Sequence, residues 1–184
     1  MPGINTENNW KTLSSETVYE NAWLEISHRE VINPAGKDGI YGVVKFKNKA
    51  LGIIPIDENN NIYLVGQFRY AINEYSWEIP EGGGPFDEDK LDAAKRELKE
   101  ETGLLASNWT TLSRIHTSNS ATNEEGFIFL AEGLSQSEAE PEETEELQVK
   151  KIHLSEAVEM VMRSEITDSI SIAAILMAAR LKGI

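Results

Sequence analysis

Apolar residues along the chain keep two rhythms, one of period two and one of period near 3.6, and the alternation between them predicts the elements. From 17 to 31 the residues Val18, Trp23, Leu24, Ile26 and Val31 stand in β-prone surroundings, and 41–47 repeats that character after a turn at 33–39. These segments predict an antiparallel hairpin. Residues 1–15 are polar without a clear period and predict a loose arm with Trp10 as its anchor. Further strands are predicted at 51–56 and 62–68, joined by the turn Asp57-Glu58-Asn59-Asn60-Asn61, then at 110–115, 126–131 and 149–153. A short extended piece at 77–80 leads into Gly82-Gly83-Gly84, where the backbone can approach a ligand closely.

Helical rhythm governs three stretches. Over 88–102, Leu91, Ala94 and Leu98 share a narrow arc at about 100° per residue, Asp87 or Asp89 stands ready as N-cap, and Gly103 ends the run. Ser155 is the expected cap of a helix to 163 with Ala157, Val158, Val161 and Met162 as its apolar face. Asp168 or Ser169 caps the last helix, expected to bury Ile172, Ile175, Leu176 and Ala179. Strands interleaved with helices place the chain in the α/β class.

Composition narrows the partners. At 184 residues, 40% hydrophobic and 26% charged, the chain is long enough for one ordinary globular core. Seventeen basic against 31 acidic residues give a net charge of -14, which argues against a nucleic-acid backbone or an anionic membrane as partner. Without cysteine, neither disulfides nor thiolate chemistry enters. No apolar run approaches a membrane span and no apolar signal core stands at the start, so a cytoplasmic setting is expected.

The candidate chemistry sits on the first predicted helix. Glu97, Glu100 and Glu101 occupy the arc beside the buried stripe, and Glu97 and Glu101 are like charges four apart, a spacing that weakens an isolated helix. A cation between them relieves that repulsion. Oxygen-only ligands favour magnesium or manganese. Taken alone, three helical glutamates describe a solvated acidic face.

The spacing decides otherwise. Gly82, five residues, Glu88, seven residues, Arg96-Glu97-Leu98, one residue, Glu100-Glu101, one residue and Gly103-Leu104 resembles the Nudix box at all its defined positions. Gln67-Phe68-Arg69-Tyr70 and Trp77-Glu78-Ile79-Pro80-Glu81-Gly82 resemble the flank of that box in the branch hydrolysing ADP-ribose and nucleoside diphosphate sugars. The likeness extends over most of 18–181.

The resemblance implies a Nudix fold, an α/β/α sandwich with a mixed sheet at 49–184, behind an N-terminal hairpin or small sheet at 1–48 that serves a homodimer and the nucleotide pocket. It implies Mg2+, or Mn2+, held by Glu97, Glu100, Glu101 and the Glu81 main-chain carbonyl, with Arg96 anchoring the glutamates. Arg69 and Glu78 become substrate-binding residues, and Trp23 or Tyr41 stacks on the base. For Arg69 the alternatives are a bidentate grip on a diphosphate and an ion pair with one of the many acids. The acidic segment 135–146 is implied to supply Glu143 or Glu140 as base and Glu145 as a late metal ligand.

The implied reaction is hydrolysis of ADP-ribose to AMP and ribose 5-phosphate. GDP-mannose, UDP-sugars or dinucleoside polyphosphates are the alternative substrates, and a nucleotide-binding module without catalysis is a further alternative. Two departures bear on this choice. Asn119 and Ser120 stand where relatives carry a proline, and Asp168-Ser169-Ile170 lacks the lysine of the Asp-x-Lys common in relatives preferring nucleoside diphosphate sugars. The second tilts the reading toward ADP-ribose.

Overall fold

The structure, a computed structural model, describes residues 6–137 and 147–184. It divides into two units, one of 1–47 with 118–124 and one of 48–117 with 125–184.

The first unit is a three-stranded antiparallel sheet of β1 (Lys11–Glu20), β2 (Leu24–Ile32) and β3 (Asp38–Phe46), in that order. The single strand expected over 17–31 is therefore two, and the arm expected over 1–15 is strand from Lys11 onward. Asn21 makes the break: its Oδ1 accepts from the amides of Trp23 and Leu24, each at 2.9 Å, and turns the chain. β1 is exposed along its whole length, so it carries no apolar alternation to announce it. The segment 118–124 is stitched to β3 by Val44 N to Ala121 O at 2.9 Å and Phe46 N to Asn123 Oδ1 at 2.7 Å.

The second unit begins with β4 (Asn48–Pro55), β5 (Asn61–Arg69), β6 (Glu74–Glu78) and β7 (Glu81–Pro85). Then come α1 (Lys90–Thr102), β8 (Leu104–His116), β9 (Glu125–Gln136), β10 (Gln148–His153), α2 (Leu154–Met162) and α3 (Ser169–Lys182). One sheet has the order β7-β4-β9-β8, with β4 and β9 parallel and the other pairs antiparallel; the second has the order β10-β5-β6.

Period-two alternation sorts the core onto the two faces of the mixed sheet. Leu51 and Ile53 of β4 and Phe127, Phe129 and Ala131 of β9 pack with Ala93, Ala94 and Leu98 of α1. Ile54, Ile128 and Leu130 pack with Leu154, Ala157 and Met160 of α2 and with Ile170, Ala174, Ile175 and Ala178 of α3. The result is the expected α/β/α sandwich. On the α3 face Gly52 and Gly126 make room for Ile170, since a Cβ on either would press into that side chain. Among the described residues no helix is long and apolar enough to cross a membrane.

Several local expectations shift. The glycines at 82–84 belong to a strand, β7, because pairing with β4 satisfies their backbone groups. His153, not Ser155, caps α2, its Nδ1 lying 3.2 Å from the amide of Ser155. The helix begins two residues earlier than expected, at Leu154, and the face it buries is that of Leu154, Ala157 and Met160, while Met162 is exposed. On α3 Leu176 is likewise exposed, and Ile170, Ala174 and Ala178 are buried instead.

The turn before β5 is held by Asp57, whose Oδ1 accepts from the amides of Asn59 at 2.9 Å and Asn61 at 2.8 Å while Lys151 pairs with Oδ2 at 2.7 Å. Burial alone would raise its carboxyl, but the bonds from Lys151 and Asn61 outweigh it and hold Asp57 well below the usual carboxylate range. Such a depressed group stabilises the fold above the unfolded value of about 3.9 and loses that contribution as pH falls toward its folded value. Urea midpoints measured from pH 6 to pH 2 are expected to fall steeply below about pH 4 for the wild type, and less steeply for Asp57→Asn.

Candidate active site

β7 is an edge strand of the mixed sheet, and its backbone directions follow from register. Gly52 stands opposite Glu81 and Leu51 opposite Gly82, while the carbonyl of Pro80 accepts from Ile53 N at 2.9 Å. Glu81 therefore falls at a position whose N–H and C=O point away from β4. Its N–H donates to Glu101 Oε2 at 3.0 Å. The Glu81 carbonyl is consequently directed to the same side as the Glu101 carboxylate.

α1 starts where Asp89 Oδ1 accepts from Leu91 N at 2.9 Å and Asp92 N at 3.2 Å, and it ends at Gly103 in the left-handed conformation. The connection from β7 is pinned by Lys49, whose Nζ donates to the carbonyl of Phe86 at 2.8 Å. These constraints set α1 against β7 with its three glutamates facing the strand edge and its near solvent. Glu101 is 3% exposed. The Glu97 carboxylate lies so close to the Gly82 backbone that a Cβ there would fall inside it. Only glycine leaves that space.

Arg96 ties the cluster together. Its NH1 donates to Glu97 Oε1 at 2.8 Å and Glu100 Oε2 at 2.9 Å, and its NH2 reaches the Gly83 carbonyl at 3.2 Å and Glu88 Oε2 at 3.4 Å. One guanidinium thus satisfies three carboxylates and a strand carbonyl in a fixed fork. Partial burial would lower its pKa, but Glu97, Glu88 and Glu100 raise it above the ordinary arginine value.

Arg69 stands at the end of β5 and Glu78 at the end of β6. The Nε of Arg69 lies 3.0 Å from both oxygens of Glu78, and an NH2 contact to Oε2 completes the pair. Glu78 is buried, whereas the arginine keeps part of its surface open. The bond from Glu78, together with the negative charge of Glu78, Glu81 and Glu101, raises the Arg69 pKa. Arg69 therefore belongs to the same electrostatic neighbourhood as α1's glutamates.

The Glu81 side chain turns inward, where Oε1 accepts from Ser171 Oγ at 2.8 Å. Burial pushes the Glu81 carboxyl well above the usual carboxylate range, and the charge and hydrogen bond of Asp168 add to that rise. Sequence reasoning found Asp168 as a cap and missed Ser171 and Lys49. A serine within an otherwise apolar helix stripe was visible, but its partner lies 90 positions away.

The remaining candidates belong to the first unit or lie outside the described residues. In the three-stranded sheet Trp23 lies in the β1–β2 turn, 68% exposed. Tyr41 lies on β3, edge-on to Trp10 with ring centroids 5.4 Å apart, and its hydroxyl donates to the Ser120 carbonyl. Glu140, Glu143 and Glu145 lie outside the described residues.

The donor set suits a hard divalent cation. Glu97, Glu100, Glu101 and the Glu81 carbonyl offer oxygen alone, and the bare Gly82 backbone admits the Glu97 carboxylate. Among the described residues the carboxylates, tied to Arg96 and to the Glu81 N–H, do not already stand as a group of three around one ion position.

Comparison with known proteins gives the family. The NUDIX domain family matches residues 47–169, a span containing β4, β7 and α1. The chain belongs to the Nudix family. A second match, to the nucleoside diphosphate sugar hydrolase N-terminal domain, covers 10–44. An ADP-ribose pyrophosphatase of Mycobacterium tuberculosis is 35% identical over 178 residues, 92% of this chain and 83% of that protein. One of Bacillus subtilis is 30% identical over 161 residues, 86% of each. The crystal structure of an ADP compounds hydrolase matches 98% of both chains with a TM-score of 0.86 at 21% identity, a likeness of fold. As a Nudix hydrolase the protein shares the family's general dependence on divalent metal.

The close approach at the Nudix glycine yields a test. Gly82→Ala is expected to melt close to the wild type, because the flexible Glu97 side chain can move aside, yet to lose about 100-fold in kcat/KM through misplacement of that carboxylate. Steady-state kinetics and a thermal melt on the same preparation read both.

Proposed function

We propose that this Nudix hydrolase cleaves the pyrophosphate bond of ADP-ribose to give AMP and ribose 5-phosphate, with Mg2+ as cofactor and Mn2+ as a substitute. The observation that carries this reading is the Glu81–Glu101 hydrogen bond, which turns a strand carbonyl and a helix carboxylate toward one side. The two ADP-ribose pyrophosphatases, alike over more than four-fifths of their own length, support the choice of substrate.

On this reading Glu97, Glu100, Glu101 and the Glu81 carbonyl hold the divalent ions, with Glu145 as a later ligand. Such ions, when bound, neutralise the pyrophosphate and acidify water. The chain's own groups do the rest. Arg96 fixes the carboxylates before substrate arrives, so little reorganisation accompanies the reaction. Glu78 holds Arg69 by Nε and one terminal nitrogen, and the other N–H groups of the guanidinium bind phosphate oxygen. Glu143 or Glu140 takes a proton from the attacking water and aligns it in line with the leaving phosphate. Trp23 or Tyr41 stacks on the adenine.

Residues 49–184 are the hydrolase domain, and 1–48 serve the dimer and the nucleotide pocket. The homodimer is supported by the apolar residues that the three-stranded sheet leaves exposed, among them Leu13, Val18, Tyr19 and Ile40. The protein works in the cytoplasm in this account. Light scattering on a sizing column is expected to give twice the 20.5 kDa chain mass; a single-chain mass at assay concentration contradicts the dimer.

Product analysis with Mg2+ tests the substrate against a panel of ADP-ribose, GDP-mannose, UDP-glucose and a dinucleoside polyphosphate. AMP release from ADP-ribose is expected to dominate; preferred cleavage of another member moves the assignment to that substrate. Binding without any product reassigns the chain to a nucleotide-binding module. Glu101→Gln is expected to reduce turnover by about 100- to 1,000-fold while folding is nearly unchanged, and retained turnover removes Glu101 from the site.

A further inference from the structure

Ser171 lies in the first turn of α3, completely buried, in a helix that contributes no residue to the Nudix box. A hydroxyl there is costly unless it is fully bonded. Its oxygen accepts from Ile79 N at 3.0 Å, which leaves its proton for Glu81 Oε1 at 2.8 Å. The backbone N–H of Ser171 donates to the capping Asp168 Oδ2 at 2.7 Å, so the hydroxyl's own position is fixed by the helix start.

These bonds fall on the two residues flanking Pro80. Proline itself has no N–H to offer, and its carbonyl is taken by Ile53 N at 2.9 Å. The next donor along the chain, Glu81 N–H, reaches Glu101 Oε2 at 3.0 Å. The crossing from β6 to β7 is therefore held by β4 through Pro80, by α3 through Ile79 and the Glu81 side chain, and by α1 through the Glu81 amide. Ser171 alone supplies two of those restraints. The Glu81 backbone that they fix carries both the N–H that orients Glu101, in the peptide before its Cα, and the carbonyl assigned to the divalent ion, in the peptide after it.

We infer that Ser171 is a positioning residue, which acts through the Glu81 side chain and the Ile79 amide to hold the Glu81 carbonyl and the Glu101 carboxylate in the orientation that binds the divalent cation. The inference rests on the metal-site reading above, and a buried hydroxyl that only filled space would be indifferent to metal. Outer groups that orient ligands commonly change metal affinity by about 10- to 100-fold when removed.

The test titrates Mn2+ into the full chain without substrate, counting free Mn2+ by electron paramagnetic resonance, alongside a thermal melt and ADP-ribose kinetics. Ser171→Ala is expected to raise the Mn2+ Kd by about 10-fold or more, Ser171→Thr to restore it toward the wild type, and the exposed neighbour Ser169→Ala to leave it unchanged. Wild-type Mn2+ affinity in Ser171→Ala overturns the inference whatever happens to its melting temperature, and so does equal weakening in the alanine and threonine variants. Should either Ser171 variant fail to fold, Glu81→Ala cuts the same tether from the other side: a similar loss of Mn2+ affinity supports the inference and an unchanged Kd overturns it. A wild type that binds Mn2+ but spares ADP-ribose defeats the substrate assignment alone, and one that binds no Mn2+ overturns both.

Discussion

The site depends on how closely α1 can approach the backbone of β7. A helix carrying carboxylates and a strand of glycines meet with no side chain between them, so the Glu97 carboxylate lies on Gly82 and the Glu101 carboxylate receives the Glu81 N–H. A side chain at Gly82 would push the Glu97 carboxylate off the strand. The apolar stripe of α1 supplies the force for that approach, since Ala93, Ala94 and Leu98 bury against β4 and β9. The small alanines bring the helix axis near the sheet, and the acidic arc beside them is carried to the strand edge.

Such a contact concentrates negative charge, and the chain answers with arginines. Arg96 neutralises part of the cluster from within, spanning Glu88, Glu97 and Glu100. Arg69, paired with the buried Glu78, brings a second guanidinium into the field of Glu81 and Glu101. In a protein of net charge -14 these guanidiniums supply local counter-charge to the clustered carboxylates. On the far side, α3 supports the strand crossing through one hydroxyl. Edge strand, acidic helix and supporting helix thus form one mechanical unit.

Much of this was legible in the sequence because its causes are local. The end of α1 followed from Gly103, and its start lies two residues past the expected 88, after the cap Asp89. The alternating periods showed strands interleaved with helices, while the α/β/α order came with the Nudix resemblance. What escaped had causes that no local pattern carries. β1 has no buried face and so no apolar alternation, and the glycines of β7 become a strand only through pairing with β4. His153 displaced Ser155 as cap because its ring accepts from the amide of Ser155 itself, so the helix already starts at Leu154. At the site, the resemblance to the Nudix box pointed to the glutamates and to Arg96. The partner of Arg69 was left open between a phosphate and an acid, and the structure gives it Glu78. Ser171 could not be read at all, since its role exists only once residues 90 apart are brought together.

The central claim is that oxygen donors from α1 and from the backbone of β7 converge on one divalent-cation site. Crystals grown with Mn2+ and measured at an energy where manganese scatters anomalously test it most directly. The account predicts anomalous density bounded by the carboxylates of Glu97 and Glu101 and the main-chain carbonyl of Glu81. Density confined to other acidic residues, with the Glu81 carbonyl directed elsewhere, would contradict it.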